Sequence, residues 1–296
     1  MTSRAAWEAV AHLWPRAETS QFVRASEIDF HVQISGKGDD VLLLHGAGAS
    51  SHSFANLAAS LSADYRVIAP DLPGQGFTTL LPTESVGLGP FARYLDGLLN
   101  TLGAAPRWVI GHSAGAALAA QYALSSQAPP EAILCINAAF NPFGAAAAPV
   151  FSKAARWLAR NPWLPKVLSS PALRWRATGS MLADTGSSVD PTMSHCYDVL
   201  LGNPEHIAGT LRMMAGWDLP PLVSQLPFMD LPVWLAAAEG DRTIPPERSA
   251  SIVKQLRRGK MMLVPQLGHL AHEEAPEIFD QLFREMVAEG ASPGAD

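Results

Sequence analysis

The sequence predicts a doubly wound α/β protein, in which helices cover both faces of a mostly parallel sheet and a helical cap is inserted between two strands. Short apolar runs alternate with longer stretches of helical character along most of the 296 residues. The runs are apolar at every position, which is typical of strands buried on both faces. Strands that are separated by helices pair in parallel and place the helices on the faces of the sheet.

The elements follow one another in a regular order. An alternating stretch over residues 22–34 predicts a hairpin that turns at Ser26 and Glu27. Buried strands are predicted at residues 41–44, 66–69, 108–111, 132–136, 233–237 and 261–264. Helices are predicted from about residue 53, over 90–103, from residue 114, over 247–256 and from residue 276.

Residues 141–218 interrupt this alternation. The interruption has no convincing strand, and three of the eight tryptophans lie close together in it, Trp157, Trp163 and Trp175. We therefore expect residues 1–140 and 219–296 to form the two parts of one α/β core, with residues 141–218 inserted as a helical cap and not as an independent domain.

Composition excludes several classes of protein. The balance of 27 acidic against 21 basic residues argues against a nucleic-acid partner, because phosphate binding needs a positive field. Two cysteines, Cys135 and Cys196, cannot form a disulfide framework, and we expect free thiols in a reducing compartment. The charge-free runs 108–130 and 132–152 are rich in alanine and glycine and are expected to be buried strands and helices, not membrane spans.

The first 16 residues carry Glu8, His12 and Arg16, so they lack the continuous apolar stretch of a secretory signal. The expected location is the cytoplasm.

Gly111-His112-Ser113-Ala114-Gly115 has the form G-x-S-x-G between a predicted strand and a predicted helix. In this setting the serine occupies a sharp, strained turn, and larger side chains at the two glycines would collide with neighbouring elements. The N-terminus of the following helix favours negative charge near the hydroxyl. Ser113 is therefore the candidate nucleophile.

A serine hydroxyl needs a base to take its proton and a carboxylate to orient that base. Asp241 follows the predicted strand 233–237, and His269 follows the predicted strand 261–264. The order serine, aspartate, histidine, with each residue after a strand, is the one expected for this architecture. Glu239 is the alternative acid and His272 the alternative base.

An oxyanion hole needs two backbone N–H groups that point to the same place. The predicted donors are Ala114, directly after the nucleophile, and Ala47, in the small-residue loop that follows the strand 41–44. His45 is expected to orient this loop, and His112 is expected to be packed beside the serine.

Together with Asp71-Leu72-Pro73-Gly74-Gln75-Gly76, these residues resemble the α/β-hydrolase family over nearly the whole chain. Within that family the sequence looks like the BchO-type magnesium-chelatase accessory proteins of bacteriochlorophyll synthesis. The stretches that carry this narrower resemblance are residues 41–50, 111–117, 141–144, 213–219 and 268–274. The resemblance implies a role near magnesium insertion into a tetrapyrrole or at a later tetrapyrrole step, and contact with magnesium chelatase.

Three functions are compatible with these residues. The first is a serine hydrolase that cleaves an ester or similar acyl bond of an apolar substrate, such as a tetrapyrrole, without a metal or organic cofactor. The second is an accessory protein that holds a tetrapyrrole and makes little use of the triad. The third is a C–C hydrolase or lyase that uses the same residues, since the fold does not determine the reaction.

The predicted cap has a local charge opposite to that of the whole chain. Residues 151–180 contain six basic side chains and no acidic one, and the basic ones are Lys153, Arg156, Arg160, Lys166, Arg174 and Arg176. Trp157, Trp163 and Trp175 lie among them. One interpretation is a solvated helix face with tryptophans turned into the core. The other is a site for an amphipathic anion, either a carboxylated tetrapyrrole or an anionic membrane surface touched peripherally.

Overall fold

The computed structural model describes residues 3–141, 161 and 163–291, without the side chains of residues 175, 176 and 291. In this part of the chain eight strands form one sheet. The strands are β1 (Ser20–Ala25), β2 (Ile28–Ser35), β3 (Asp40–Leu44), β4 (Arg66–Pro70), β5 (Trp108–His112), β6 (Ala132–Ile136), β7 (Val233–Ala238) and β8 (Gly259–Val264).

The strand order in the sheet is β1-β2-β4-β3-β5-β6-β7-β8. The pairs β1–β2 and β2–β4 are antiparallel, and all later pairs are parallel. The predicted fold class, a mostly parallel sheet of an α/β hydrolase, is confirmed. Because β5, β7 and β8 run in the same direction, the loops after them lie along one edge of the sheet.

The described α-helices are α1 (Ser3–Val10), α2 (Ala55–Leu61), α3 (Leu88–Leu102), α4 (Ala114–Ser125), α5 (Leu164–Leu168), α6 (Pro171–Asp184), α7 (Pro191–Leu201), α8 (Pro204–Gly216), α9 (Pro220–Val223), α10 (Pro246–Val253), α11 (Ala271–Glu274) and α12 (Pro276–Ala291). The predicted helix that starts near residue 53 begins with a 3-10 turn, Ser51–Phe54. Each of the other predicted core helices is present, with ends that differ by a few residues.

The sheet has a hydrophobic cluster on each face, because successive strand residues point to opposite sides. In β3, Leu42 and Leu44 belong to one cluster, together with apolar side chains of α3 and α4. Val41 and Leu43 belong to the other cluster, together with apolar side chains of α2 and α12. Helices on both faces therefore bury the central strands completely, which explains why these strands are apolar at every position.

Between β6 and β7 the described chain is helical, from α5 through α9. Four of these helices, α6 to α9, begin with proline at the first position, where the missing N–H costs no hydrogen bond. Asp190 caps α7 and Asn203 caps α8 through backbone N–H groups of the first turn. No helix in the described residues is long and apolar enough to cross a membrane.

Candidate active site

Ser113 lies at the turn between β5 and α4, with a φ of 53° and a ψ of −117°. This left-handed backbone is strained for a residue with a side chain. A Cβ at Gly111 would lie 2.5 Å from the carbonyl oxygen of Gly115, and a Cβ at Gly115 would collide with the carbonyl oxygen of Leu44. The glycines of the motif are therefore required by close backbone approach, as the sequence predicts.

The structure brings Ser113, His269 and Asp241 into one hydrogen-bonded chain. His269 Nε2 lies 3.1 Å from Ser113 Oγ, and His269 Nδ1 lies 2.8 Å from Asp241 Oδ2. A carboxylate oxygen only accepts, so Nδ1 carries the proton and Nε2 is free to accept the serine O–H. All three side chains are buried.

Asp241 is the carboxylate that reaches the histidine, while the alternative acid, Glu239, is exposed. The second oxygen of Asp241, Oδ1, accepts the N–H groups of Thr243 at 2.7 Å and Ile244 at 2.8 Å. Both oxygens are therefore occupied, and the carboxylate has a fixed orientation toward His269.

The carbonyl oxygen of His269 is held by two side chains from the core of the sheet. His112 Nε2 donates to it at 2.9 Å, and Asn137 Nδ2 donates to it at 2.8 Å. Burial lowers the pKa of His112 well below its ordinary value, so His112 is neutral and acts as a packed donor.

Sequence reasoning did not identify Asn137. The residue has a φ of 46°, and its Oδ1 accepts the N–H of Ala238 at 2.8 Å, near the start of the loop that carries Asp241. One side chain thus connects the ends of β6 and β7 with the His269 loop. The available signal was a single polar residue directly after a strand of five apolar ones.

The loop after β3 packs against the turn that carries Ser113. A Cβ at Gly46 would lie 2.9 Å from His112 Nδ1 and 3.1 Å from Ser113 Cβ. His45 donates from Nδ1 to the Gly46 carbonyl at 2.8 Å and accepts the Leu72 N–H at Nε2 at 2.9 Å. His45 therefore fixes the loop, and burial lowers its pKa.

The two predicted oxyanion donors directly follow the two residues of this close approach, Gly46 and Ser113. Ala47 is exposed beyond Gly46, and Ala114 is the first residue of α4. Neither backbone N–H has a hydrogen-bond acceptor among the residues that the structure describes. A free N–H at the start of a helix is available to an anion.

A buried carboxylate, Asp71, organises the loop after β4. His31 Nδ1 donates to Asp71 Oδ2 at 2.8 Å, the Phe77 N–H donates to the same oxygen at 2.8 Å, and the Ser51 N–H donates to Oδ1 at 2.7 Å. Burial alone would raise the pKa of Asp71, but His31 and the hydrogen bonds hold it below its ordinary value. Sequence reasoning found no role for His31, which this contact now supplies.

A second buried carboxylate, Glu273, lies four residues after His269. The Tyr197 hydroxyl donates to its Oε1 at 2.6 Å, and the Ser53 hydroxyl donates to the same oxygen. His272, the alternative base, is bonded to Ser53 Oγ at 2.9 Å and not to Ser113. Burial raises the pKa of Glu273 to about 7. The cluster connects α7 to α11.

The described residues contain no group of three or more His, Cys, Asp or Glu side chains that could hold a metal ion. Cys135 and Cys196 are free and buried, and burial raises the pKa of both thiols.

The basic stretch of the predicted cap is described only in part. Lys153, Arg156, Arg160 and Trp157 lie outside the described residues, as do the side chains of Trp175 and Arg176. Trp163 is 70% exposed, so it is not turned into the core, and the Lys166 ammonium lies 5.3 Å from its ring centre. Arg174 pairs with Asp198 of α7 at 3.2 Å. The described cations of this stretch therefore include a paired one and one stacked on an exposed ring.

Comparison with known proteins identifies a matching family and several similar proteins. Residues 41–282 match the model of the family described as the alpha/beta hydrolase family. A magnesium-chelatase 30 kDa subunit from Rhodobacter capsulatus is 40% identical over 266 residues, which cover 89% of this chain and 93% of the relative. A 2-hydroxy-6-oxo-6-phenylhexa-2,4-dienoate hydrolase from Burkholderia cepacia is 25% identical, over 92% of this chain and 97% of the relative.

Among solved structures, a thermophilic esterase from Thermogutta terrifontis superimposes with a TM-score of 0.72 at 22% identity. The match covers 92% of this chain and 99% of the esterase. At this level of identity the likeness concerns the fold.

Proposed function

The chain belongs to the alpha/beta hydrolase family and, within it, to the group of the Rhodobacter magnesium-chelatase 30 kDa subunit; on that premise we propose that it is a serine hydrolase. Its substrate is an apolar molecule with an ester or similar acyl bond. The observation that carries the proposal is the chain of hydrogen bonds from Ser113 Oγ through His269 to Asp241, at 3.1 and 2.8 Å.

The geometry supports the following sequence of steps. Ser113 Oγ attacks the acyl carbon while His269 Nε2 takes the hydroxyl proton, and Asp241 stabilises the resulting imidazolium at Nδ1. The tetrahedral intermediate collapses, and Nε2 returns the proton to the leaving alcohol. Water then attacks the acyl-enzyme, with His269 again accepting and returning a proton, and Ser113 is released.

The developing oxyanion needs donors that are already in place. We propose the N–H groups of Ala47 and Ala114 for this role. The contact of Gly46 with Ser113 supports it, because this contact brings the loop after β3 next to the nucleophile. The position of Ala114 at the start of α4 adds the partial positive charge of the helix N-terminus.

We propose that residues 141–218 form the cap over this site and that the substrate is a magnesium tetrapyrrole or its precursor in bacteriochlorophyll synthesis. Membership in the group of a magnesium-chelatase subunit supports the tetrapyrrole and an association with magnesium chelatase. The helical character of the described chain between β6 and β7 supports the cap.

Two other functions have an observation in their favour. An accessory protein that holds a tetrapyrrole for magnesium chelatase, with little catalysis, is favoured by the name of the 40% identical relative. Cleavage of a C–C bond by the same residues is favoured by the similarity to the dienoate hydrolase from Burkholderia cepacia over nearly the whole of both chains.

The deciding experiment is labelling with a fluorophosphonate probe, together with hydrolysis of p-nitrophenyl esters. We expect the wild-type protein to be labelled and active, and Ser113→Ala to lose both properties. Ser125→Ala, at the exposed end of α4, is the matched control. An unlabelled wild-type protein that binds protoporphyrin would favour the accessory function, and turnover of a dienoate without ester hydrolysis would favour C–C cleavage.

A further inference from the structure

The segment between α6 and α7 contacts both the loop that carries Asp241 and the loop that carries His269. Residues 185–187 of this segment are called the clasp below. The carbonyl oxygen of Thr185 accepts the N–H of His269 at 3.0 Å and the N–H of Arg242 at 3.3 Å. A single carbonyl oxygen of the stretch between β6 and β7 thus joins the residue after Asp241 to His269 itself.

The other two residues of the clasp extend this contact. Ser187 Oγ accepts the N–H of Leu270, directly after His269, at 2.8 Å. Gly186 has a φ of +78°, and a Cβ at this position would collide with the carbonyl oxygen of Gly240, directly before Asp241. Only glycine combines this backbone conformation with so close an approach.

Glu274 closes the contact on the side of the His269 loop. Its carboxylate accepts the N–H of Gly268 at 2.8 Å and the N–H of Ser188 at 3.0 Å. The loop that carries His269 is therefore bonded to the segment after α6 directly through the N–H groups of residues 269 and 270. It is bonded indirectly through Glu274, which accepts from both Gly268 and Ser188.

The two sides of the His269 backbone are held by different parts of the molecule. Its carbonyl oxygen is bonded to His112 and Asn137 of the sheet, whereas its N–H is bonded to the clasp. The position of the imidazole is therefore set by a backbone that is held at both its N–H and its carbonyl oxygen. Its 2.8 Å contact with Asp241 Oδ2 therefore depends on the clasp as well as on the sheet.

We propose that the clasp is a positioning element of the active site, which sets the relative position of the loops that carry Asp241 and His269. Thr185 and Ser187 are positioning residues that act through the backbone of these loops. The inference rests on the roles proposed for Ser113, His269 and Asp241. Because the clasp joins α6 to α7, a ligand that displaces either helix also changes the alignment of the base.

The test compares four variants of the full-length protein. Ser187→Ala removes the acceptor for the Leu270 N–H, and Ser187→Thr keeps a hydroxyl as the conservative replacement. Gly186→Ala places a methyl group against Gly240. Ser188→Ala is the matched control, because the exposed Ser188 contacts Glu274 through its backbone N–H. The measurements are the fluorophosphonate labelling rate, the pH midpoint of kcat/KM, and the downfield proton resonance of the His269 Nδ1–H in the NMR spectrum.

We expect Ser187→Ala and Gly186→Ala to label about 10- to 100-fold more slowly, as for a catalytic group displaced by about 1 Å. Their pH midpoint shifts and their downfield resonance broadens or disappears, while Ser187→Thr and Ser188→Ala resemble the wild type. The proposal is overturned if Ser187→Ala and Gly186→Ala retain the labelling rate, pH midpoint and resonance of Ser188→Ala. It is also overturned if labelling slows but midpoint and resonance do not change.

The proposed function and the clasp can fail separately. If the wild-type protein is not labelled, the serine-hydrolase assignment fails, and the resonance of His269 in the wild type and the variants alone decides on the clasp. If Gly186→Ala does not fold, the comparison of Ser187→Ala with Ser187→Thr decides.

Discussion

The side chain of Asn137 donates to the carbonyl oxygen of His269 at 2.8 Å, across 132 residues of sequence. The same amide group accepts the N–H of Ala238 and donates to the carbonyl oxygen of Gly268. All these groups are buried, so each needs a partner inside the protein. Asn137 therefore satisfies buried backbone groups both at the end of β7 and in the loop that carries His269.

Replacement of Asn137 by alanine is expected to destabilise the protein and to slow the labelling of Ser113. Unpaired buried backbone groups cost about 1–3 kcal/mol each, and we expect a loss of about 2–4 kcal/mol in the free energy of unfolding. Urea unfolding and fluorophosphonate labelling measure the two effects. Asn100→Ala, on the exposed side of α3, is the control. Unchanged stability would show that water or neighbouring groups replace the amide.

Replacement of Asp241 by asparagine is expected to leave the fold intact and to slow acylation by about 10⁴-fold. The amide group can turn its NH₂ toward His269 and so favour the imidazole tautomer that faces Ser113 with an N–H. Labelling kinetics and the circular dichroism spectrum measure the two properties. Glu239→Gln, at an exposed position two residues earlier, is the control. An equal loss in this control, with Asp241→Asn nearly normal, would transfer the role to Glu239.

The buried strands and the residues after them were predictable from the sequence because their signals are local. A strand buried on both faces is apolar at each position, and G-x-S-x-G between a strand and a helix specifies a sharp turn. In a parallel sheet the residues after such strands lie along one edge, so Ser113, Asp241 and His269 were expected to lie close together. In the structure His269 lies within hydrogen-bond reach of both Ser113 and Asp241.

The groups that hold these three residues in place were not predictable in the same way. Thr185 acts through a backbone carbonyl, which every residue has, so its side chain carries no signal. Ser187 and Glu273 find their partners across large sequence separations, in elements whose packing the local pattern does not determine. Single polar residues of this kind are also common at ordinary surface positions. Their roles follow only from the tertiary structure.

The basic stretch between residues 151 and 180 is expected to bind anionic vesicles or protoporphyrin through its cations. Each cation contributes up to about 1 kcal/mol near an anionic surface, so Arg156, Arg160 and Arg176 together change the affinity by up to about 100-fold at low salt. Replacement of these three by glutamine should weaken binding, measured by tryptophan fluorescence in separate titrations with vesicles and protoporphyrin. Binding should also weaken as salt is added.

The control for this experiment is the triple replacement of Lys254, Arg257 and Arg258 by glutamine, which removes the same charge at positions after α10. Equal weakening in both triple variants would attribute binding to the overall charge. No binding to either ligand at low salt would leave a solvated helix face as the interpretation of the stretch.

Three buried histidines are expected to contribute to a loss of stability in acid. Burial lowers the pKa of His52 to about 3, of His206 to about 4 and of His272 to about 3. These side chains stay neutral in the folded protein, whereas the unfolded chain takes up protons below about pH 6.5. Stability is therefore lost as the pH falls below this value. A carboxyl group with a raised pKa makes stability fall as the pH rises, which is the opposite dependence. Its contribution is therefore measured as the difference between wild type and a variant that lacks this carboxyl group.

Glu273 is expected to destabilise the folded protein as the pH rises from about 4.5 to about 7. Burial raises its pKa to about 7 from 4.5, so the folded state holds a proton that the unfolded state releases. Glu273→Gln keeps a neutral acceptor for Tyr197 and Ser53 and does not ionise. We expect the free energy of unfolding of the variant, relative to wild type, to increase by about 2–3 kcal/mol between pH 5 and pH 8 and to stay level above pH 8. Urea unfolding at several pH values measures this difference, and the exposed Glu277→Gln is the control. A difference between Glu273→Gln and wild type that does not change with pH would mean that Glu273 is ionised throughout.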